Sequence, residues 1–110
     1  MVFNKNEAIE ILERTPETLK ALLSGLSEGW LTSNEGEGTW NPSEVIGHLI
    51  DGEKYNWIPR LKIMLAETDD KSFPAFDRFS HLKDYANLSL EDRLSEFSRL
   101  RKANIKELKD

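Results

Sequence analysis

The sequence predicts an all-α fold, and three observations predict it. Apolar residues recur at steps of three, four and seven in three long segments, the spacing of one buried helical stripe. Two of those segments open on an Asn or Ser cap with an acid three residues later, a helix-start signature. No stretch alternates apolar and polar residues as a half-buried strand would, and no repeat or low-complexity tract appears. A length of 110 residues fits one domain spanning 1–110.

The first periodic segment lies between Asn6 and Leu26, where Ala8, Ile11, Leu12, Leu19, Leu22, Leu23 and Leu26 share the stripe. Thr15-Pro16 interrupts it. Proline lacks the backbone donor and constrains the residue before it, yet Thr15 could also cap a new helix with Pro16 at its first position. The segment is one kinked helix or two short collinear ones, and the unbroken phase of the stripe favours the kink. Ser27 to Thr39 has loop composition, with Gly29, Gly36, Gly38, Ser33 and Asn34. Trp30 and Leu31 within it are expected to tuck back onto the core.

The second helix starts at Asn41, with Pro42 at the first helical position and Glu44 as the capping-box acid. Trp40 and Val45 are placed to form a hydrophobic staple across that cap. The stripe continues through Ile46, Leu49, Ile50, Trp57, Ile58, Leu61, Met64 and Leu65. Gly47 and Gly52 are interior, each costing about 1 kcal/mol against alanine, so each predicts close approach by a neighbour. Pro59 is expected to bend the helix and free the carbonyl of Tyr55. Trp40 and Trp57 read as core anchors.

Glu67 to Ala86 is a connector containing Asp69-Asp70 and three phenylalanines, Phe73, Phe76 and Phe79. That aromatic content predicts an ordered crossover with a short helical turn between Phe79 and Tyr85. Ser89, with Asp92 three residues on, caps the third long helix, which carries Leu90, Leu94, Phe97, Leu100, Ile105 and Leu108. Its pattern is still running at Asp110.

Composition narrows the function. The formal charge is −5, whereas a nucleic-acid-binding protein normally shows a basic face. The one dense basic stretch, Arg99, Arg101, Lys102, Lys106 and Lys109, is interleaved with Glu96, Glu107 and Asp110 and reads as a solvated, ion-paired helix face. The absence of cysteine removes disulfides, thiolate metal sites and cysteine nucleophiles. No run approaches the roughly 20 apolar residues of a membrane span, and the first ten residues do not form a signal peptide. A cytoplasmic location is the expectation. Ser43, Ser80 and Ser89 lack a nucleophile-elbow context, and Gly36-Glu37-Gly38 lacks the lysine of a phosphate loop.

The run from Thr39 to Glu53, with Trp40, Glu44, His48, Leu49, Asp51 and Glu53, resembles the second-helix motif of the DinB/YfiT-like superfamily. Pro16 with Leu19, Leu22 and Leu23 resembles that family's first helix. Phe73 to Asp77 resembles its crossover, and Leu94 to Phe97 with Arg99 to Asn104 its third helix. The resemblance covers nearly the whole chain. It implies an up-and-down four-helix bundle with a crossover connection, of which three long helices are present, so the domain is expected to be incomplete at its C-terminal side.

The resemblance also implies a divalent metal (Zn, Ni, Mn or Fe) held by three histidines and serving thiol S-transferase or hydrolase-like chemistry on a small molecule. One of the three lies on the second helix, here His48. The other two lie four residues apart on the last helix, and this sequence has no such pair. Its second histidine, His81, sits in the connector and is expected to face solvent. His48 is therefore the single metal ligand expected, oriented by a nearby carboxylate, with the metal not held tightly by this chain alone. Glu44 and Asp51 share its helix face and could complete a two-ligand site, and His81 could join only if the crossover folds across the open end of the second helix. No catalytic residue is assigned. The competing reading is a non-catalytic helical module for self-association or partner-helix binding. Three helices of a four-helix bundle leave an apolar groove, so a homodimer is expected to cover it.

Overall fold

The computed structural model describes residues 4–66, 72–73 and 75–109. Among them the regular elements are helical. They are α1 (Lys5–Leu23), α2 (Glu28–Leu31), α3 (Pro42–Asp51), a π turn (Gly52–Asn56), α4 (Trp57–Leu65), α5 (Ser80–Asp84) and α6 (Leu90–Lys109). Of the connector, Asp69, Asp70 and Pro74 lie outside the described residues, as does Asp110 at the end.

α1 begins at Asn4, whose side chain accepts from the Glu7 N–H at 3.1 Å. It runs unbroken through Pro16, so the two-helix alternative falls. Proline at that position deprives the Leu12 carbonyl, four residues earlier, of its donor. Arg101 of α6 fills the gap, its Nη1 donating to the Leu12 oxygen at 3.0 Å. Gly25, at φ +84°, turns the chain away past the helix end as glycine does at a C-terminal cap.

The predicted capping box of α3 is present: Asn41 Oδ1 accepts from the Glu44 N–H at 2.8 Å, and Glu44 Oε1 from the Asn41 N–H at 3.0 Å. α3 passes into α4 through the π turn, in which the Trp57 N–H reaches back to the Gly52 carbonyl. The wider turn falls just before Pro59, where the ring of a helical proline crowds the carbonyl four residues earlier. Asn104 of α6 donates to the Glu53 carbonyl inside it at 2.9 Å. The α6 cap is as predicted, with Ser89 Oγ accepting from the Asp92 N–H at 3.1 Å.

Side-chain bonds fix the helix directions. Ser24, at the end of α1, meets Glu91 at the start of α6, and Glu13 meets Lys109 at its end, so these two helices are antiparallel. The Ser43 carbonyl meets Arg93, and Glu53 meets Arg101, so α3 and α6 run parallel. Parallel neighbours need a connection that returns the length of the bundle, and the segment between α4 and α6 is that crossover. Leu23, Ile46, Ile50, Tyr85, Leu94 and Phe97 form the core, flanked by Leu19, Leu49, Leu90 and Leu100.

Several packing expectations are corrected, and Leu26, Met64 and Leu65 of the predicted stripes are exposed. Ile11 and Leu22 point away from α6 and are mostly exposed. They lie eleven residues apart, about three helical turns, and so form a second apolar line beside the buried line of Ile9, Pro16 and Leu23. Leu31 is buried as expected, whereas Trp30 is 68% exposed, because the single turn α2 presents only one side to the core. Trp57 is not a core anchor but 59% exposed, since the π turn shifts the phase of α4 against α3.

The α6 basic stretch is solvated only in part. Arg99 pairs with Glu96 on the surface. Arg101 instead lies 12% exposed against Glu53, with Nε donating to Oε1. No helix among the described residues is long and apolar enough to cross a membrane.

Candidate metal centre

α3 and α5 together build the site. α5 docks on α3 through Asp51, a fully buried carboxylate with both oxygens engaged. Ser80 Oγ donates to Oδ2 at 2.7 Å and the Tyr85 hydroxyl donates to Oδ1 at 2.7 Å. Burial, and then the bond to Asp51, push the Tyr85 phenol well above its ordinary pKa, because ionisation would put two anions side by side.

Beneath α5 lies Arg93, buried without a carboxylate in bonding range among the described residues. It donates to three backbone carbonyls: Tyr85 at 2.5 Å, Ser43 at 2.7 Å and Leu88 at 3.1 Å. Burial lowers its pKa, and the charge of Glu44 partly restores it. The guanidinium thus ties the start of α3, the end of α5 and the start of α6 together.

The two histidines meet above this platform. His48, on α3, is half-buried, and its Nδ1 is buried without a hydrogen-bond partner. His81, the first residue after Ser80 on α5, is 0% exposed rather than facing solvent. The expectation failed because the bond from Ser80 to Asp51 turns α5 inward. Neither His81 ring nitrogen has a partner at normal bonding distance. Burial first, and then the neighbouring charge of His48, lower its pKa. Asp51, the nearby Arg78 carbonyl and Glu44 oppose that shift.

The ring centres of His48 and His81 are 5.5 Å apart, with planes at 61°. Trp40 walls both, 5.0 Å from His48 and 4.6 Å from His81, and Phe76 lies 5.9 Å from His48. Gly47 makes the room: a β-carbon there would come within 3.2 Å of both His81 Nδ1 and Arg93 Nη1. The close approach that an interior glycine predicts is real. Trp40 is an anchor as expected, but the staple is loose, with Val45 40% exposed.

The donor chemistry fits a metal in part. Two imidazoles with buried, unbonded nitrogens lie in edge contact, yet among the described residues no three His, Cys, Asp or Glu side chains converge. Neither carboxylate expected to orient His48 bonds to it: Glu44 is held in the capping box and Asp51 by Ser80 and Tyr85. His81, Tyr85 and Arg93 carry no sequence motif of their own. Gly47, one residue before His48, was the only pointer toward them.

A crossover-connected helical bundle with an imidazole on its second long helix defines a class that the comparisons make specific. The family model described as DinB superfamily matches residues 11–110, and the chain belongs to that superfamily. Among solved structures it is similar to YfiT from Bacillus subtilis, described as a probable metal-dependent hydrolase with an unusual four-helix bundle topology. The two share 22% identity at a TM-score of 0.79, over 98% of this chain and 63% of YfiT. The chain thus spans somewhat less than two thirds of that relative. No curated protein matches it.

Proposed function

We propose that the chain is a divalent-metal-binding DinB-type bundle serving metal-dependent transfer or hydrolysis, with His48 as a ligand. The observation that carries this reading is the His48 ring, held on α3 by packing against Trp40 with a buried nitrogen that nothing bonds. The description of YfiT as a probable metal-dependent hydrolase supports it. Imidazole donors suit Zn, Ni and Fe, and Mn prefers oxygen. When bound, such a metal supplies a Lewis acid or lowers the pKa of a bound water or thiol. This chain's own part is to orient His48, keep the Trp40 side of the site dry and leave further coordination positions to groups outside the described residues. Metal analysis of purified, dialysed protein beside His48→Ala tests the reading. Retained zinc or nickel that disappears in the variant supports it, and equal traces in both reject it.

A second reading, self-association, is favoured by one specific feature. Two adjoining clefts, one lined by Leu12, Ile105 and Asn104 and the other by Leu61 and Phe73, share Trp57, Ile58 and Leu108. They form one apolar strip with the exposed indole at its centre, and a second copy related by a two-fold axis would cover it. The homodimer and a metal role are compatible. Sedimentation that shows a dimer for the wild type and a monomer for Trp57→Glu supports the strip as an interface; a monomeric wild type at micromolar concentration rejects it.

A further inference from the structure

His48 leaves the second imidazole unexplained. A buried polar atom without a partner costs about 1–3 kcal/mol, and the pair carries three of them: His48 Nδ1, His81 Nδ1 and His81 Nε2. A leucine or phenylalanine would fill the His81 position without that cost. The neighbouring side chains do not compete for these nitrogens, and the one backbone group acting on His81 is the Arg78 carbonyl, outside normal bonding distance. Asp51 is taken by Ser80 and Tyr85, Glu44 by its cap, and Arg93 by three carbonyls. The missing β-carbon of Gly47 lets the His81 ring sit against α3.

The spacing points to a shared occupant. Two imidazoles on one ion, with metal–nitrogen distances near 2.0–2.1 Å and tetrahedral angles, hold their ring centres roughly 5 Å apart. The ring centres of His48 and His81 stand 5.5 Å apart. A water between the rings would find only the imidazole nitrogens as partners, the low end of the two to four that a buried water makes, because Trp40 and Phe76 offer aromatic faces and edges.

We propose that His81 is the second imidazole ligand of a divalent transition-metal site seated between α3 and α5. This rests on the reading of His48 as a ligand and extends it to a residue from the crossover. The site is a two-imidazole half. Docking of α5, through Ser80 and Tyr85 on Asp51, sets the distance between its halves. Asp51 is then a positioning residue, not a ligand.

The experiment uses the full chain and zinc alone. Long-range proton–nitrogen spectra of the histidine rings report each imidazole separately, and a competing chromophoric chelator reports affinity. Zinc is expected to shift ring nitrogens of both histidines. His81→Gln and His48→Gln should each bind zinc at least about tenfold more weakly, the loss typical even of residues outside the ligand shell, with helical circular dichroism unchanged. If His81→Gln does not fold, the wild-type spectra decide. Shifts confined to His48, with wild-type affinity in a folded His81→Gln, overturn the inference and leave His48 as a ligand. No shift in either ring overturns both.

Discussion

The buried pair of Glu53 and Arg101 should behave as a keystone rather than as a surface ion pair. Their side chains are only 4% and 12% exposed. Arg101 does two jobs at once, neutralising Glu53 and supplying the donor that Pro16 denies to Leu12. Arg101→Met keeps the apolar stem, strands a buried carboxylate and leaves the Leu12 carbonyl bare. Breaking one side of a buried pair costs about 3–5 kcal/mol. A domain of this size has only about 5–15 kcal/mol to lose, so the melting temperature should fall by something of the order of 20 °C. Glu53→Leu alone strands the guanidinium and should cost a similar amount. The double variant removes both charges, and its cost should be smaller than the sum by at least about 2 kcal/mol. Urea unfolding followed by circular dichroism measures all three corners. Single-variant losses below about 1 kcal/mol, the scale of a surface pair, or additive losses would refute the reasoning.

The two interior glycines make opposite predictions. Gly47→Ala pushes a β-carbon against Arg93, pinned to Ser43, and against His81, boxed in by Trp40, so it should destabilise despite alanine's helix preference. Gly52→Ala meets only the movable end of the exposed Trp57 ring at 3.3 Å, and should be neutral or stabilise by up to about 1 kcal/mol. Thermal melts of the two variants showing the reverse order would contradict the packing described. Tyr85 predicts alkaline behaviour. Its pKa is raised on folding, so the native phenol keeps its proton where the unfolded one, above about pH 10, has lost it. Stability from this group is present below that pH and is lost as pH rises, and Tyr85→Phe should flatten the loss; an unchanged alkaline slope counts against it.

Much of the fold was legible because caps and stripes act locally. The Asn41–Glu44 box, the Ser89 cap and the helical turn beginning at Ser80 follow from a few adjacent residues. Membership of the DinB superfamily was readable from the run around His48. What the sequence hid were consequences of tertiary contacts. Pro16 looked like a break because the donor that repairs it comes from Arg101 on a distant helix. Trp57 looked like a core residue because nothing local announces the extra residue that a π turn inserts. His81 looked like a solvated connector residue because its direction is set by Ser80 and Tyr85 reaching Asp51, contacts 29 and 34 residues away along the chain. Arg101 looked like one more charge on a polar face, although Glu53, its partner, lies on the π turn.

Zinc titration of the full chain, followed by calorimetry beside His48→Ala, tests the metal reading most directly. A saturable heat is expected in the wild type, and binding at least about tenfold weaker once the α3 imidazole is gone. Identical isotherms for the two proteins would show that the vacant nitrogen beside Trp40 is not a metal ligand.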